Sequence, residues 1–278
     1  MPELPEVETV VRGLRALGLE HVVIRRVTVR WPRTVAGLSP ERFARSLAGR
    51  AIVRFSRRAK YIAADLDSGE RLLIHLRMTG KLRLAAPGER PGKHDHLMIE
   101  FADGRRLLFN DTRKFGRFRL TAAGDDPLAC LGPEPLGDAF TADILRQRLS
   151  GKRRMIKPLL LDQTTLAGLG NIYVDESLWR AKIHPRRRAD TLSVTEITRL
   201  HSAIRDVLRR AIANGGTTLG DGQTNFYSVA GRRGRNADAL AVFRRDGTPC
   251  PRCGTPIMRT IVGQRGTHFC PACQRESR

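Results

Sequence analysis

The chain has 278 residues, 41% of them apolar, which is long enough for two domains with their own cores. Lysine and arginine number 50 against 28 acidic residues, giving a formal net charge of +22. No apolar run approaches a membrane span and the acidic N-terminus lacks a signal-peptide core, so we expect a cytoplasmic protein without membrane contact. The surplus is mostly arginine, which suits phosphate, so nucleic acid is favoured as the partner over a basic surface kept for solubility.

The first eight residues, MPELPEVE, predict a reactive arm on a helix. If Met1 is removed, Pro2 carries a free secondary amine, and α-amino groups are far more often unprotonated at neutral pH than lysines are. Such an amine can attack a sugar carbon and form a Schiff base, with Glu3 beside it as acid or base. Pro5 suits a first helical turn, apolar residues follow at helical spacing, and Gly18 suits the helix end. An ordinary acidic N-terminus is the alternative.

Residues 21–123 predict a β-rich domain. Strands are expected at His21–Arg30, Tyr61–Leu66, Arg71–Met78, Leu97–Phe101, Arg106–Phe109 and Phe115–Thr121. Many short strands with regular turns favour a sandwich or a barrel, and the first helix would pack on it.

Residues 124–140 are rich in glycine, proline and aspartate and predict a linker. Helices are then expected over Ala142–Leu149, over Ile172–Arg180, and from a capping box at Ser193–Glu196 to Asn214. Thr217–Gly234 shows no periodicity and predicts a long mobile loop, a feature that is often functional in compact domains.

Four cysteines form two Cys-x-x-Cys pairs, Cys250/Cys253 and Cys270/Cys273, separated by 16 residues. This spacing predicts a closed, structural Zn²⁺ site, and a redox role is the weaker alternative. Between the pairs we expect a β-hairpin whose turn, Gly263–Gly266, presents Arg265 to phosphate.

Two further groups fit a DNA-binding enzyme. Gly168–Asn171 precedes a predicted helix, where backbone N–H groups can bind phosphate. Met78, Arg113 and Phe115 lie near predicted turns and suggest wedges in a kinked duplex from which a base has been extruded. A charged turn or edge is the alternative for the second group.

The motifs PELPEVET, RRAKY, KHDH, LGPEPL, IKP, GLGNIY and the four-cysteine finger occur in this order from Pro2 to about Gln274. Together they resemble the bacterial formamidopyrimidine-DNA glycosylase family, which removes oxidised purines from DNA and nicks the strand. The resemblance implies an α+β fold. It comprises an N-terminal β-sandwich with an N-terminal helix (2–124), a linker (125–140), a helix–two-turn–helix domain with a lesion-covering loop (141–236), and a zinc finger (240–274).

The resemblance also implies the site. It assigns catalysis to Pro2, Glu3, Lys60 and Arg265, supporting roles to Glu6 and Lys157, DNA contacts to His94, Arg113, Lys114, Asn171 and Arg265, void filling to Met78, Arg113 and Phe115, and one structural zinc ion to Cys250, Cys253, Cys270 and Cys273. Pro2 would attack C1′ of the damaged nucleotide, and β- and δ-elimination would follow. The implied partner is double-stranded DNA containing 8-oxoguanine or formamidopyrimidines, bound by a monomer.

The sequence departs from the family pattern at two places. Lys114 stands where arginine is usual, which replaces a bidentate contact by a point charge. Residues 231–236 lack the proline and the aromatic of the usual G-x-P-G-[YR]-F motif, with Asn236 at its end, so the covering of the extruded base is expected to differ. Two alternatives stay open: an endonuclease VIII-like enzyme for oxidised pyrimidines, and a non-catalytic zinc-ribbon DNA-binding protein.

Overall fold

The computed structural model describes residues 1–220, 222 and 225–276, which form two compact units. The first unit comprises Met1–Ala129 and Asn214–Ala237. The second comprises Cys130–Ala213 and the described chain from Asp238 onward. The change of unit at Ala129 falls inside the 124–140 segment, which forms neither helix nor strand. Within the described residues, no helix is long and apolar enough to cross a membrane.

Among its described residues, the first unit contains two α-helices and nine strands. They are α1 (Leu4–Ala16), β1 (Ile24–Val29), β2 (Val35–Ala36), α2 (Pro40–Leu47), β3 (Ile52–Arg58), β4 (Tyr61–Leu66), β5 (Arg71–His75), β6 (Lys81–Leu84), β7 (Asp95–Phe101), β8 (Arg106–Asn110) and β9 (Arg117–Thr121). The strands form a four-stranded sheet in the order β1-β7-β8-β6 and a five-stranded sheet in the order β2-β9-β5-β4-β3. Pairing is antiparallel except between β2 and β9.

The two sheets share one apolar core, so the predicted sandwich is confirmed. Phe109 on β8 meets Phe118 on β9 edge to face, with ring centroids 4.9 Å apart. Helix α1 adds its apolar stripe, including the fully buried Val7 and Leu14, to the same core. Burial of this stripe supplies most of the stability that fixes the start of the chain.

The predicted elements differ from the observed ones at two turns that matter for the site. Strand β5 ends at His75, so Met78 lies in the following turn and not in a strand. Strand β9 begins at Arg117, so Phe115 also lies in a turn. Strand β3 is absent from the predicted elements, because a bulge between Ile52 and Arg54 interrupts its alternation.

The second unit contains α3 (Ala142–Leu149), α4 (Ile156–Leu161), α5 (Asn171–Arg180), α6 (Val194–Ala213), β10 (Met258–Val262) and β11 (Arg265–Phe269). The predicted capping box of α6 is confirmed: the N–H of Ser193 donates to Glu196 Oε2 at 2.8 Å, and the N–H of Glu196 donates to Ser193 Oγ at 3.2 Å. The finger packs in this unit, since Val242, Ile257 and Trp179 form one apolar cluster with three of its cysteines, Cys250, Cys270 and Cys273.

Candidate active site

The N-terminal arm is buried and held by backbone hydrogen bonds. Glu3 is the N-cap of α1, Pro5 lies in the first turn, and Glu6 closes a capping box by accepting the N–H of Glu3 at 2.8 Å. Pro2 is buried beside this cap, and Glu3 is only 3% exposed. A group anchored in this way keeps its position without an ordering cost at the moment of reaction.

Glu6 also ties the arm to a distant segment of the same unit. Its Oε1 accepts the N–H of Thr217 at 2.8 Å, while Oε2 serves Glu3. Gly216 has a positive φ of 83°, and a Cβ there would lie 3.1 Å from Glu6 Cγ, so the close approach requires glycine. Residues 217–236 are expected in the helical domain, whereas the described residues of 214–237 pack in the first unit.

Lys60 lies in the two-residue turn between β3 and β4, where Ala59 has a φ of 53°. The side chain is 6% exposed, and its charge acts on His75 at the end of β5. Burial, followed by the charges of Arg77 and Lys60, lowers the pKa of His75 to about 3. His75 is therefore a neutral imidazole, and its Nδ1 accepts the N–H of Arg77 at 2.9 Å. His75 is not among the predicted site residues, because the sequence pattern of Arg71–Met78 indicates only that it lies in a strand.

Met78 and Phe115 are exposed, by 39% and 47% respectively, although both are large and apolar. They line an open depression of about 370 Å³ together with Met1, Arg77 and Arg117. The start of the chain and two predicted void-filling residues therefore border the same space. Arg113, the third predicted void-filling residue, stacks its guanidinium over the Phe115 ring at 4.9 Å.

Lys114 and His94 border Trp31 and His96 in the same unit. The ammonium of Lys114 lies 4.0 Å from the centroid of the Trp31 ring, a cation–π contact. His94 packs edge-on against His96 with centroids 6.4 Å apart. Among the described residues, Nδ1 of His94 and Nε1 of Trp31 are buried without a hydrogen-bond partner.

In the second unit, Asn171 binds the residue that follows Arg265. Asn171 begins α5 and donates its Nδ2 to the carbonyl oxygen of Gly266 at 2.8 Å. The hairpin turn consists of Gly263 and Gln264, both with positive φ, so Arg265 is the first residue of β11 and not a turn residue as predicted. Arg265 is nevertheless exposed, beside an N-terminal helix end that suits an anion.

Lys157 is fully buried in this unit and also reaches Gly266. Its ammonium donates to the Gly266 carbonyl at 3.0 Å and to Asp175 Oδ1 at 2.6 Å. Asp175 Oδ2 accepts the N–H of His268 at 2.9 Å, so the carboxylate links α4 and α5 to β11. Asp175 is also absent from the predicted site, although an acid among the apolar residues of α5, one turn after Asn171, is a visible signal.

The four cysteine sulfurs, of Cys250, Cys253, Cys270 and Cys273, lie within 4.8 Å of one another. Zinc–sulfur bonds of about 2.3 Å in a tetrahedron place sulfur atoms about 3.8 Å apart, so this set fits one zinc ion. The indole Nε1 of Trp179 donates to Cys250 Sγ at 3.4 Å, the kind of outer contact that orients a thiolate ligand. The zinc is structural, because four protein ligands leave no open position.

Asn236 joins the two ends of the loop that departs from the family pattern. This side chain is 2% exposed and donates to Thr217 Oγ1 at 2.9 Å, while its backbone N–H donates to the Gly216 carbonyl at 3.0 Å. Its three neighbouring arginines are exposed: Arg232, Arg233 and Arg235. Asp221, Gln223 and Thr224, which belong to the predicted mobile loop, lie outside the described residues.

Comparisons with known proteins agree with this architecture. The chain matches the formamidopyrimidine-DNA glycosylase N-terminal domain over residues 1–118, the formamidopyrimidine-DNA glycosylase H2TH domain over 131–222, and the zinc finger found in FPG and IleRS over 247–275. A formamidopyrimidine-DNA glycosylase of Roseiflexus sp. (strain RS-1) is 48% identical over 281 residues, covering 99% of this chain and 100% of the relative. A protein of the same name from Herpetosiphon aurantiacus is 50% identical over 278 residues, with 99% and 100% coverage.

Solved structures give the same result. Wild-type Lactococcus lactis Fpg (MutM), in complex with DNA containing N7-benzyl-Fapy-dG, superposes with a TM-score of 0.90 at 40% identity, covering 99% of this chain and 100% of that one. MutM (FPG) from Thermus thermophilus superposes with a TM-score of 0.89 at 40% identity, with complete coverage of both chains (100% and 100%). By sequence and by fold, the chain belongs to the formamidopyrimidine-DNA glycosylase family.

Proposed function

We propose that this protein is a bifunctional base-excision-repair enzyme, a DNA glycosylase and abasic-site lyase. It excises oxidised purines, namely 8-oxoguanine and formamidopyrimidines, from double-stranded DNA and then cleaves the strand. Relatives of this chain are named for formamidopyrimidine excision, and a solved relative binds DNA with a formamidopyrimidine lesion. The net charge of +22 suits a DNA partner.

In the proposed reaction, the Pro2 nitrogen, freed by removal of Met1, attacks C1′ of the damaged nucleotide. The glycosidic bond breaks, and the base leaves with the bonding electron pair and takes up a proton from water. The proline nitrogen loses its proton, the C1′–O4′ bond opens with proton donation from Glu3 to O4′, and an iminium forms. Loss of a C2′ proton then expels the 3′ phosphate, and a second elimination expels the 5′ phosphate.

The observation that carries this proposal is the double anchoring of the arm by Glu6. One carboxylate oxygen holds the backbone of Glu3 and the other holds Thr217, so the residues next to the nucleophile are fixed before DNA arrives. A nucleophile that is already oriented gains most from proximity. Lys60, buried with its charge next to the neutral His75, supplies a cation for a phosphate near the lesion.

The proposed nucleophile is tested by borohydride trapping on a duplex with one 8-oxoguanine. Reduction of the iminium should give a covalent protein–DNA complex, and peptide mass spectrometry should place the adduct on Pro2. A preparation that retains Met1 is the matched control and should give no adduct. Trapping on Lys60 or Lys157, or full activity with Met1 retained, would overturn the assignment.

Excision from a second duplex, which carries an oxidised pyrimidine in place of 8-oxoguanine, separates the proposal from an endonuclease VIII-like specificity. That specificity predicts faster excision of the oxidised pyrimidine than of 8-oxoguanine. Absence of any trapped adduct, with DNA binding intact, would favour the non-catalytic zinc-ribbon alternative.

We also propose that the protein acts as a monomer on cytoplasmic DNA. Light scattering of the free protein should then give a mass near the chain mass of 31.0 kDa.

A further inference from the structure

The turns that carry Met78 and Phe115 are joined by a buried carboxylate. Asp111 is 0% exposed and directly follows the last residue of β8. Its Oδ1 accepts the hydroxyl of Thr79, the residue after Met78. Its Oδ2 accepts the N–H of Gly116, the residue after Phe115, at 2.7 Å. The Asp111 side chain therefore hydrogen-bonds both to the residue that follows Met78 and to the residue that follows Phe115.

Arg113 is tied to the same junction. Its backbone N–H lies 3.2 Å from both Asp111 Oδ1 and Thr79 Oγ1. The Thr79 hydroxyl thus donates to the carboxylate and accepts from the second turn, which makes it the cross-link between the two turns. Lys114, between Arg113 and Phe115, has a φ of 60°, a conformation that needs support from such contacts.

The packing beneath the turns is equally tight. The ring of Phe109 lies between Gly80 and Gly116, and a Cβ on either glycine would come within 2.8 Å and 2.2 Å of ring atoms, respectively. Phe109 itself is 1% exposed in the sandwich core. The two turns therefore rest on one ring and are joined by one carboxylate, so they cannot move independently without breaking buried hydrogen bonds.

We propose that Asp111 is the positioning residue of the DNA wedge, which through Thr79 couples the Met78 turn to the Arg113–Phe115 turn so that all three side chains enter the duplex as one rigid body. This inference rests on the proposed function, since it requires that these side chains fill the void left by an extruded base. A rigid wedge pays no ordering entropy on insertion, whereas uncoupled turns would.

The test compares Thr79→Val, Thr79→Ser and Asp111→Asn with Phe115→Ala. Valine keeps the shape of threonine but loses the bridging hydroxyl, and serine keeps it. Asparagine has a single acceptor oxygen, so either Gly116 or Arg113 loses its carboxylate acceptor whichever way the amide is turned. Each protein is assayed by single-turnover excision of 8-oxoguanine from a duplex and by cleavage of a preformed abasic duplex. A 2-aminopurine opposite the lesion reports unstacking by its fluorescence.

We expect Thr79→Val and Asp111→Asn to slow duplex excision about tenfold, as for one lost buried hydrogen bond, and to reduce the fluorescence rise. Abasic cleavage should change less than about threefold, because there is no base to extrude. Thr79→Ser should restore excision.

Two results would overturn the inference: excision at the wild-type rate in both variants while Phe115→Ala is slow, or equal loss on both substrates with a lowered melting temperature. If Phe115→Ala itself excises normally, the wedge role in the proposed function fails first, and the inference fails with it.

Discussion

The ammonium of Lys157 lies 2.6 Å from Oδ1 of Asp175, and both side chains are 0% exposed. Two opposite charges buried together satisfy each other, but each depends on its partner, because an isolated charge in the interior is very unfavourable. Since Lys157 also holds the Gly266 carbonyl, the pair fixes the residue next to Arg265. We therefore expect Lys157 to support the site by holding the hairpin that carries Arg265 in position.

Removal of one partner of this pair should destabilise the protein strongly. We expect Asp175→Asn to lower the free energy of unfolding by about 3 kcal/mol, because it leaves the Lys157 ammonium uncompensated. Asp143→Asn, which breaks an exposed ion pair with Arg146 on α3, is the control and should cost less than about 0.5 kcal/mol. Urea unfolding of the zinc-loaded proteins measures both. Similar small losses in the two variants would show that the buried pair contributes nothing special.

The neutral His75 should make folding sensitive to acid. The unfolded chain binds a proton at this imidazole below pH 6.5, whereas the folded chain does so only near its lowered pKa of about 3. The contribution of the neutral His75 to the free energy of unfolding is thus fully present above pH 6.5, and it is lost as the pH falls from 6.5 toward 3. His75→Asn keeps an acceptor for the N–H of Arg77 but does not titrate. Between pH 7.5 and 5.5 the wild type should lose about 1.4 kcal/mol more than the variant in denaturant unfolding. Parallel losses would contradict the buried neutral state.

The zinc finger should support DNA binding by holding the hairpin that carries Arg265 in position. Cys250→Ser should release zinc and weaken DNA binding, because the hairpin that carries Arg265 loses its anchor. Cys130→Ser is the matched control, since Cys130 is exposed and lies outside the four-cysteine cluster. Arg265→Ala should retain zinc, weaken binding, and reduce the slope of log affinity against log salt by about one. Metal content and a salt titration of binding measure these effects, and unchanged affinity in zinc-free protein would refute the link.

The exposed arginines of the loop formed by residues 217–236 should act by attraction to phosphate. Replacing Arg232, Arg233 and Arg235 together by glutamine should slow single-turnover excision at moderate salt and have less effect at low salt, where other basic contacts retain the DNA. The preference between 8-oxoguanine and formamidopyrimidine should stay nearly constant, since Asn236 is buried in the loop base. A charge-matched control replaces three exposed arginines of the same unit, Arg25, Arg26 and Arg42. A large change in lesion preference at constant affinity would show that the loop reads the base.

Several parts of this protein follow from local sequence. Strand β4 and helix α3 have the predicted bounds, and the capping box at Ser193 forms as expected. The zinc ligands were also readable, because two Cys-x-x-Cys pairs at this spacing have few structural alternatives. The strand, the helix and the capping box depend on residues within a few positions of one another, where periodicity and cap chemistry decide the conformation.

The tertiary structure decided which polar groups meet. Glu6 and Thr217 are 211 positions apart, and Lys157 is 109 positions from Gly266, so no local pattern could pair them. Their partners are selected by burial, because a polar group removed from water must find its hydrogen bonds wherever the folded chain brings a donor or an acceptor. By itself the sequence determined the family, the zinc ligands and most helices and strands. Only folding decided how the arm, the two wedge turns and the finger hairpin are held, since that depends on contacts between distant segments.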